Sequence, residues 1–479
     1  MTITAEENRS TAGIIRGADS AGRVALLLAG TFLLLAIGLQ VLATLKLAYP
    51  DFLSNTSFLS YGRLQPMADT TALLGWLTFS NLAIIYYLLP RLTGARLWNE
   101  PVAVMATFAS AAVTVMAVVG IGLGYTDGRP FADVHFVADA VLLVTYLVPL
   151  VVTAQTLRHR TETSTYVSLY YVLAGLVWLI GATIVGNIPG EAVVGGLVQN
   201  EFYTSTIYSM WAIGIGIGGA YYIVPKTTGN PLYSRSLAMV GFWSLVITSL
   251  WAGLASQIYG PVGDWAESIG AVFALGMIIP AVAVLANLVG TMSGKWDMLR
   301  THADVRFAIV GSLVAVFVAL VAGTQGFRSV SAVVGLTTFV SGTQLASVWG
   351  VGTLFACAFG YHAIPRTAGR RTFSPPLART QLRLLLTGVV MASGALWAAG
   401  LASGYTWVSA AYSGTSAIAG DGFSATADAV GGLYSLGLLG MLVIAAAALL
   451  YVYNVWRTFT SGQTTTRELL VFADEEVAS

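Results

Sequence analysis

The stretch Trp251-Ala-Gly-Leu-Ala-Ser-Gln-Ile-Tyr-Gly-Pro-Val-Gly-Asp-Trp-Ala-Glu-Ser-Ile-Gly270 decides how this chain is read. Its first half closes an apolar run that begins near Leu237, and its second half opens another near Ser268. Between them Gly260, Pro261 and Gly263 make a tight polar corner. Two apolar runs joined by such a corner are the pattern of a chain that leaves a bilayer and re-enters it.

The rest of the sequence has the same character. Of 479 residues, 56% are hydrophobic and only 9% are charged, and the mean hydropathy is +0.76. A soluble domain carries about 25% charged residues, so the composition implies a polytopic, all-α membrane protein. The net charge of +1 gives no case for a nucleic-acid partner. The single cysteine, Cys357, lies inside an apolar run, which leaves neither a disulfide framework nor a thiolate metal site. The polar start, with Arg9, Arg16 and Arg23, lacks the apolar core and cleavage site of a signal peptide.

Runs of about 20 apolar residues, long enough to span, fall near 24–49, 67–90, 102–125, 136–157, 166–188, 202–225, 236–259, 268–292, 306–325, 337–364, 382–403 and 429–456. Twelve transmembrane helices are expected, as a membrane domain over 24–456 between an N-terminal tail (1–23) and a C-terminal tail (457–479). Only the stretches near 326–336 and 404–428 leave room for an extended loop, and no convincing internal repeat is visible. Alternating the loops through twelve spans puts all but four of the 23 Lys and Arg on one side; the exceptions are Lys46, Arg63, Arg129 and Arg328. By the positive-inside rule the basic side is cytoplasmic, with both termini there, in a cell's inner membrane.

Several segments carry a family resemblance that spans nearly the whole chain. Tyr61-Gly-Arg-Leu-Gln-Pro-Met-Ala-Asp-Thr70, with Gly75-Trp76 and Tyr86-Tyr87, is similar to one helix of a known family. Asp139 with Thr145-Tyr146 matches another, and Tyr221-Tyr-Ile-Val-Pro-Lys226 a third. Ser293-Gly-Lys-Trp296, Ile364-Pro-Arg366 and Tyr453-Asn-Val-Trp456 follow in order. The chain resembles subunit I of the C-type (cbb) heme-copper oxidases. The corner at 251–270 is similar to the family segment Trp-Ala-Gly-Pro, two adjacent histidines, and then Tyr and Asp-Trp-Ala.

The resemblance implies a chemistry of heme b and copper held by six histidines, since imidazole suits both metals. Each ligand position carries another residue here. The low-spin heme ligand of the second helix falls on Ala68, and the copper ligands fall on Ser205, Ala255 and Ser256. The tenth-helix pair, one ligand for each heme, falls on Thr343 and Leu345. The family's catalytic Tyr falls on Ser249, and an Arg that reaches heme propionates falls on Asp428. No shift of register repairs this, because the chain has only four histidines, His135, His159, His302 and His362. Met67 lies beside Ala68, but neighbouring helical positions point about 100° apart. No heme or copper is therefore expected in this chain.

Three functions remain open. The first is a cofactor-free structural or coupling subunit of a respiratory complex, partnered by other membrane subunits such as a membrane-anchored cytochrome c. The second is a proton or small-solute path. Asp69, Asp139, Glu201, Asp264, Glu267 and Asp428 motivate it, since ionisable groups in spans are costly. His135 lies one helical turn before Asp139 on the same face, where the two are expected to form an ion pair, with a proton or ion site as the alternative. The third is an oxidase or nitric oxide reductase with unusual ligands. The small residues at the former ligand positions also pose a question of space. Either bulky neighbours such as Trp76, Phe202 and Trp251 fill the vacated sites, or cavities persist for a lipid, quinone or water.

Overall fold

The computed structural model describes residues 19–129, 131–188, 193–413 and 422–461. It contains twelve helices long and apolar enough to span, and no β-strand among the described residues. They are α1 (Ser20–Ala48), α2 (Tyr61–Thr93), α3 (Glu100–Leu123), α4 (Phe136–Arg158), α5 (Val167–Gly186), α6 (Val194–Thr228), α7 (Arg235–Gln257), α8 (Asp264–Thr291), α9 (Ala303–Thr324), α10 (Thr338–Ala368), α11 (Pro375–Val408) and α12 (Ala429–Ser461). Helices α2, α6 and α11 begin several residues before their apolar runs. Backbone hydrogen bonding carries a helix into polar sequence, where hydropathy no longer marks it. The expected loop at 326–336 holds a short helix, Arg328–Val334.

Three helices form the centre. The apolar stretches of α2, α6 and α10 are 100%, 83% and 94% buried, against 28–56% in the other nine. Each widens into a π-helical segment at mid-length: Thr71–Leu77, Ile207–Gly214 and Ala346–Gly352. Thr78 donates its hydroxyl to the carbonyl of Leu73 at 2.8 Å, and Thr353 to that of Val348 at 2.9 Å. The side chains thus serve carbonyls that the widened ladder leaves without a regular partner. The same hydroxyls accept across the helices. Trp76 Nε1 donates to Thr353 at 3.1 Å, and Trp211 Nε1 to Thr78 at 2.8 Å. All three aromatic anchors, Trp76, Trp211 and Trp349, are buried.

The three central helices also end alike. Pro90, Pro225 and Pro365 each lie four residues before a left-handed glycine, Gly94, Gly229 and Gly369, whose N–H donates to the proline carbonyl. The next connections are tied in the same way. The N–H groups of Trp98, Tyr233 and Phe373 donate to Thr156, Thr291 and Thr458 at 3.0–3.1 Å. Asn287 and Asn454 exchange paired bonds with the backbones of Ser234 and Ser374. Three four-helix units, α1–α4, α5–α8 and α9–α12, therefore repeat around the centre, which corrects the expectation of no internal repeat. Only cap and turn positions carry the repeat. The apolar residues between them exchange freely, so the sequences of the units no longer look alike.

The corner at 251–270 is a 3-10 turn over Ala252–Gln257 followed by a reversal into α8. Tyr259 adopts a left-handed φ of 67°, and its N–H donates to Glu267 at 2.9 Å. Arg328 pairs with Glu267 at 3.4 Å and Asp264 at 3.6 Å, which joins the corner to the α9–α10 connection.

Candidate functional site

Five of the six positions that the family resemblance assigns to metal ligands line two neighbouring cavities. The first, of about 410 Å³, is bounded by α1, α2, α10, α11 and the α3–α4 connection. Its walls include Leu345, Ala72, Trp349 and Phe131, with Gln40, Gln65, Asp69, Asp133 and Tyr61 as polar groups. The second, of about 270 Å³, lies among α6–α10, and its walls include Ser205, Ala255, Ser256 and Thr343. Tyr208 and Gln344 line both cavities and form the wall between them.

On α2 the wall residues include Gln65, Asp69 and Ala72, spaced about one helical turn apart. Ala68 is fully buried and is not among them. Met67 packs against Val118 and Ile121 of α3, and so does not replace the ligand. Phe32 of α1 closes over Gly75, where a Cβ would come within 3 Å of the ring. Phe202 and Trp251 do not fill the space; Phe202 meets Trp178 edge-on, and Trp251 is 40% exposed.

The hydroxyls at the former metal positions are already engaged. Ser205 donates to the carbonyl of Ser249 at 2.7 Å, and Gln257 donates to Ser256 at 3.2 Å and to Glu201 at 2.8 Å. Thr343 accepts from Gln325 at 2.9 Å and from Trp397 at 3.1 Å. Alanine and leucine offer no donor atom at all. Among the described residues, no three His, Cys, Asp or Glu side chains come together as a metal site would require. This donor set does not fit heme iron or copper.

The four histidines lie elsewhere. His135 caps α4, accepting from the Val137 N–H at 3.4 Å. Asp139 turns instead to Asn187 of α5, which donates to it at 3.0 Å, so the expected His135–Asp139 ion pair does not form. Asp69 belongs to the first cavity, so His135, Asp139 and Asp69 are not gathered into one site. His159 and His302 are exposed. His362 is fully buried where α6, α9 and α10 meet. Its Nδ1 lies 2.9 Å from Asp304, which also accepts from Thr227 at 3.1 Å and lies 3.8 Å from Arg366. Tyr87 and Tyr222 flank it edge-on. The side chain of Asp428 lies outside the described residues.

Two features of the site were missed in the sequence. Gln344, between Thr343 and Leu345, is a polar residue inside a span and was open to notice. Asp133 lies in a connection, and nothing local marks it as part of a wall. Burial pushes its carboxyl up to about 6, against a smaller lowering by the Phe131 backbone N–H and by Arg129.

Residues 20–432 match the family model of cytochrome C and quinol oxidase polypeptide I. The chain belongs to this family. It is 25% identical over 443 residues to the cbb3-type cytochrome c oxidase subunit CcoN1 of Stutzerimonas stutzeri, covering 90% of this chain and 92% of that one. It is 26% identical over 449 residues to the cytochrome c oxidase subunit 1 homolog of Azorhizobium caulinodans, covering 88% and 79%. A cryo-EM structure of a heme-copper terminal oxidase dimer superposes with a TM-score of 0.73 at 16% identity, over 94% of this chain and 86% of that one. The chain is thus a divergent, twelve-helix subunit I of the heme-copper oxidase type.

Proposed function

We propose that this subunit I-like protein holds no heme and no copper of its own and acts as a structural or coupling subunit of a respiratory membrane complex. The observation that carries the reading is the state of the former ligand positions. Ser205 and Thr343 spend their hydroxyls on neighbouring groups, and Ala68, Ala255 and Leu345 have none. A frame kept intact around two cavities, without a donor set to hold a metal, suits assembly rather than oxygen chemistry. Its relatives are named as subunits, so the expected setting is a hetero-oligomer in the inner membrane. A membrane-anchored cytochrome c is the partner we propose. Both termini and the arginine-rich loops are assigned to the cytoplasm on charge.

The test is purification in mild detergent, followed by metal analysis and reduced-minus-oxidised spectra. We expect no b-type heme and no copper assignable to this polypeptide, and a c-type cytochrome subunit that co-purifies with it. One heme or one copper per chain overturns the reading.

A further inference from the structure

The second cavity combines features that define a ligand. On the α8 side it is lined by Ala274, Met277, Pro280 and Ala281. Pro280 has no N–H to give to the Gly276 carbonyl, and α8 breaks at Met277. On the α9 side the lining is apolar, from Ala315, Val318, Ala319 and Ala322. Ile279 and Phe317 on the same two helices are 55% and 54% exposed, as apolar side chains that meet lipid are.

The inner end is polar. Thr204, Ser205, Ser209 and Ser347 give their hydroxyl protons to backbone carbonyls and leave oxygen lone pairs toward the space. Tyr208 and Gln344 differ from these. Neither the Tyr208 hydroxyl nor the Gln344 amide makes a hydrogen bond within the described residues, although both sit deep in the membrane domain. Unpaired donors at such a place are costly without a partner. Among the described residues, Glu201 is the one carboxylate in the wall, and Gln257 already donates to it. Among the same residues no lysine, arginine or histidine lines the cavity. An anionic head such as a fatty carboxylate or a lipid phosphate would meet Glu201 with no countercharge.

We propose that the cavity binds a neutral membrane-soluble molecule whose polar end is an uncharged carbonyl or hydroxyl. It enters between α8 and α9 and takes hydrogen bonds from Tyr208 and Gln344. This inference rests on the cofactor-free reading, because the space lies at the former copper positions Ser205, Ala255 and Ser256.

The experiment uses the full chain in nanodiscs with three photoreactive probes of equal chain length: a long-chain alcohol, its carboxylate and its amine. Peptides labelled after irradiation are identified by mass spectrometry. The alcohol should label the α6, α9 and α10 segments that line the cavity, the carboxylate should not, and the amine should label less than the alcohol because Gln257 already occupies Glu201. Ala319→Phe, which fills the α9 side of the cavity, should abolish that labelling. The double variant Tyr208→Phe, Gln344→Leu should reduce it by about tenfold, the loss of a neutral hydrogen bond or two. Val115→Phe, on the lipid-facing side of α3, should leave it unchanged. Equal labelling by all three probes, or labelling that persists in Ala319→Phe, overturns the proposal. Thermal unfolding of each variant reports folding separately. A heme spectrum from the same sample reports on the cofactor-free reading, so the two can fail independently.

Discussion

The two ends of the central three-helix core are built on opposite principles. Toward the arginine-rich end, from the tryptophan ring to Pro90, Pro225 and Pro365, nearly every side chain of α2, α6 and α10 is buried. Glycines there are filled by neighbours, and the buried charge of Asp304 is held by His362, Thr227 and Arg366. Toward the other end the same three helices wall two cavities of about 410 and 270 Å³. Close packing of the first kind is the rule for a protein interior, and large voids are the exception. The contrast shows that the frame is held by one end, which leaves the other free to keep space.

Substitutions can break this comparison. The largest effect is expected for Trp211→Ala, which removes a fully buried indole and its bond to Thr78. A loss of about 4 kcal/mol is expected, seen as a drop in unfolding temperature in detergent. Gly218→Ala comes next. Its Cβ would lie 2.8 Å from the Tyr171 Cβ, so a helix must shift, at about 2 kcal/mol. Gly229→Ala and Gly369→Ala meet no neighbour within 4 Å and should cost only the strain of a left-handed φ, about 1–2 kcal/mol each. In the cavity half, Leu345→Phe should cost less than about 1 kcal/mol, because the larger ring has room. A cost as large as that of Gly218→Ala would mean that the space is closed in solution.

The smallest effect is a pH dependence. Asp133 is raised from 3.8 to about 6 in the folded protein, so the folded state holds the proton more tightly than the unfolded chain. Stability from this group is therefore greatest below its ordinary value and falls as pH rises through about 6. Asp133→Asn should flatten the profile of unfolding temperature over that window. An unchanged profile would show that the carboxyl is hydrated in both states.

Much of the fold was open to reading from composition alone. Twelve apolar runs became twelve spans, because in lipid a chain must satisfy its own backbone and only a helix does so within one segment. The scarcity of histidine was also legible, since the chain has only four. The three-fold repeat was not. It rests on Pro90, Pro225, Pro365 and their glycines, positions too few to stand out among drifting apolar residues. Helical spacing placed His135 and Asp139 on one face, yet the structure sends Asp139 to Asn187. Spacing within a helix says which residues are neighbours, and tertiary packing decides which of them are partners.

The sequence by itself determined that this chain lies in a membrane, which loops are basic, and that it has only four histidines. These follow from residue identity, and identity needs no partner. Only the tertiary structure decided whether the vacated positions collapse or stay open. That outcome depends on where distant side chains come to rest: Phe32 closing over Gly75, and Phe202 turning to Trp178. None of these contacts is local in sequence, and the volume between helices belongs to no single residue.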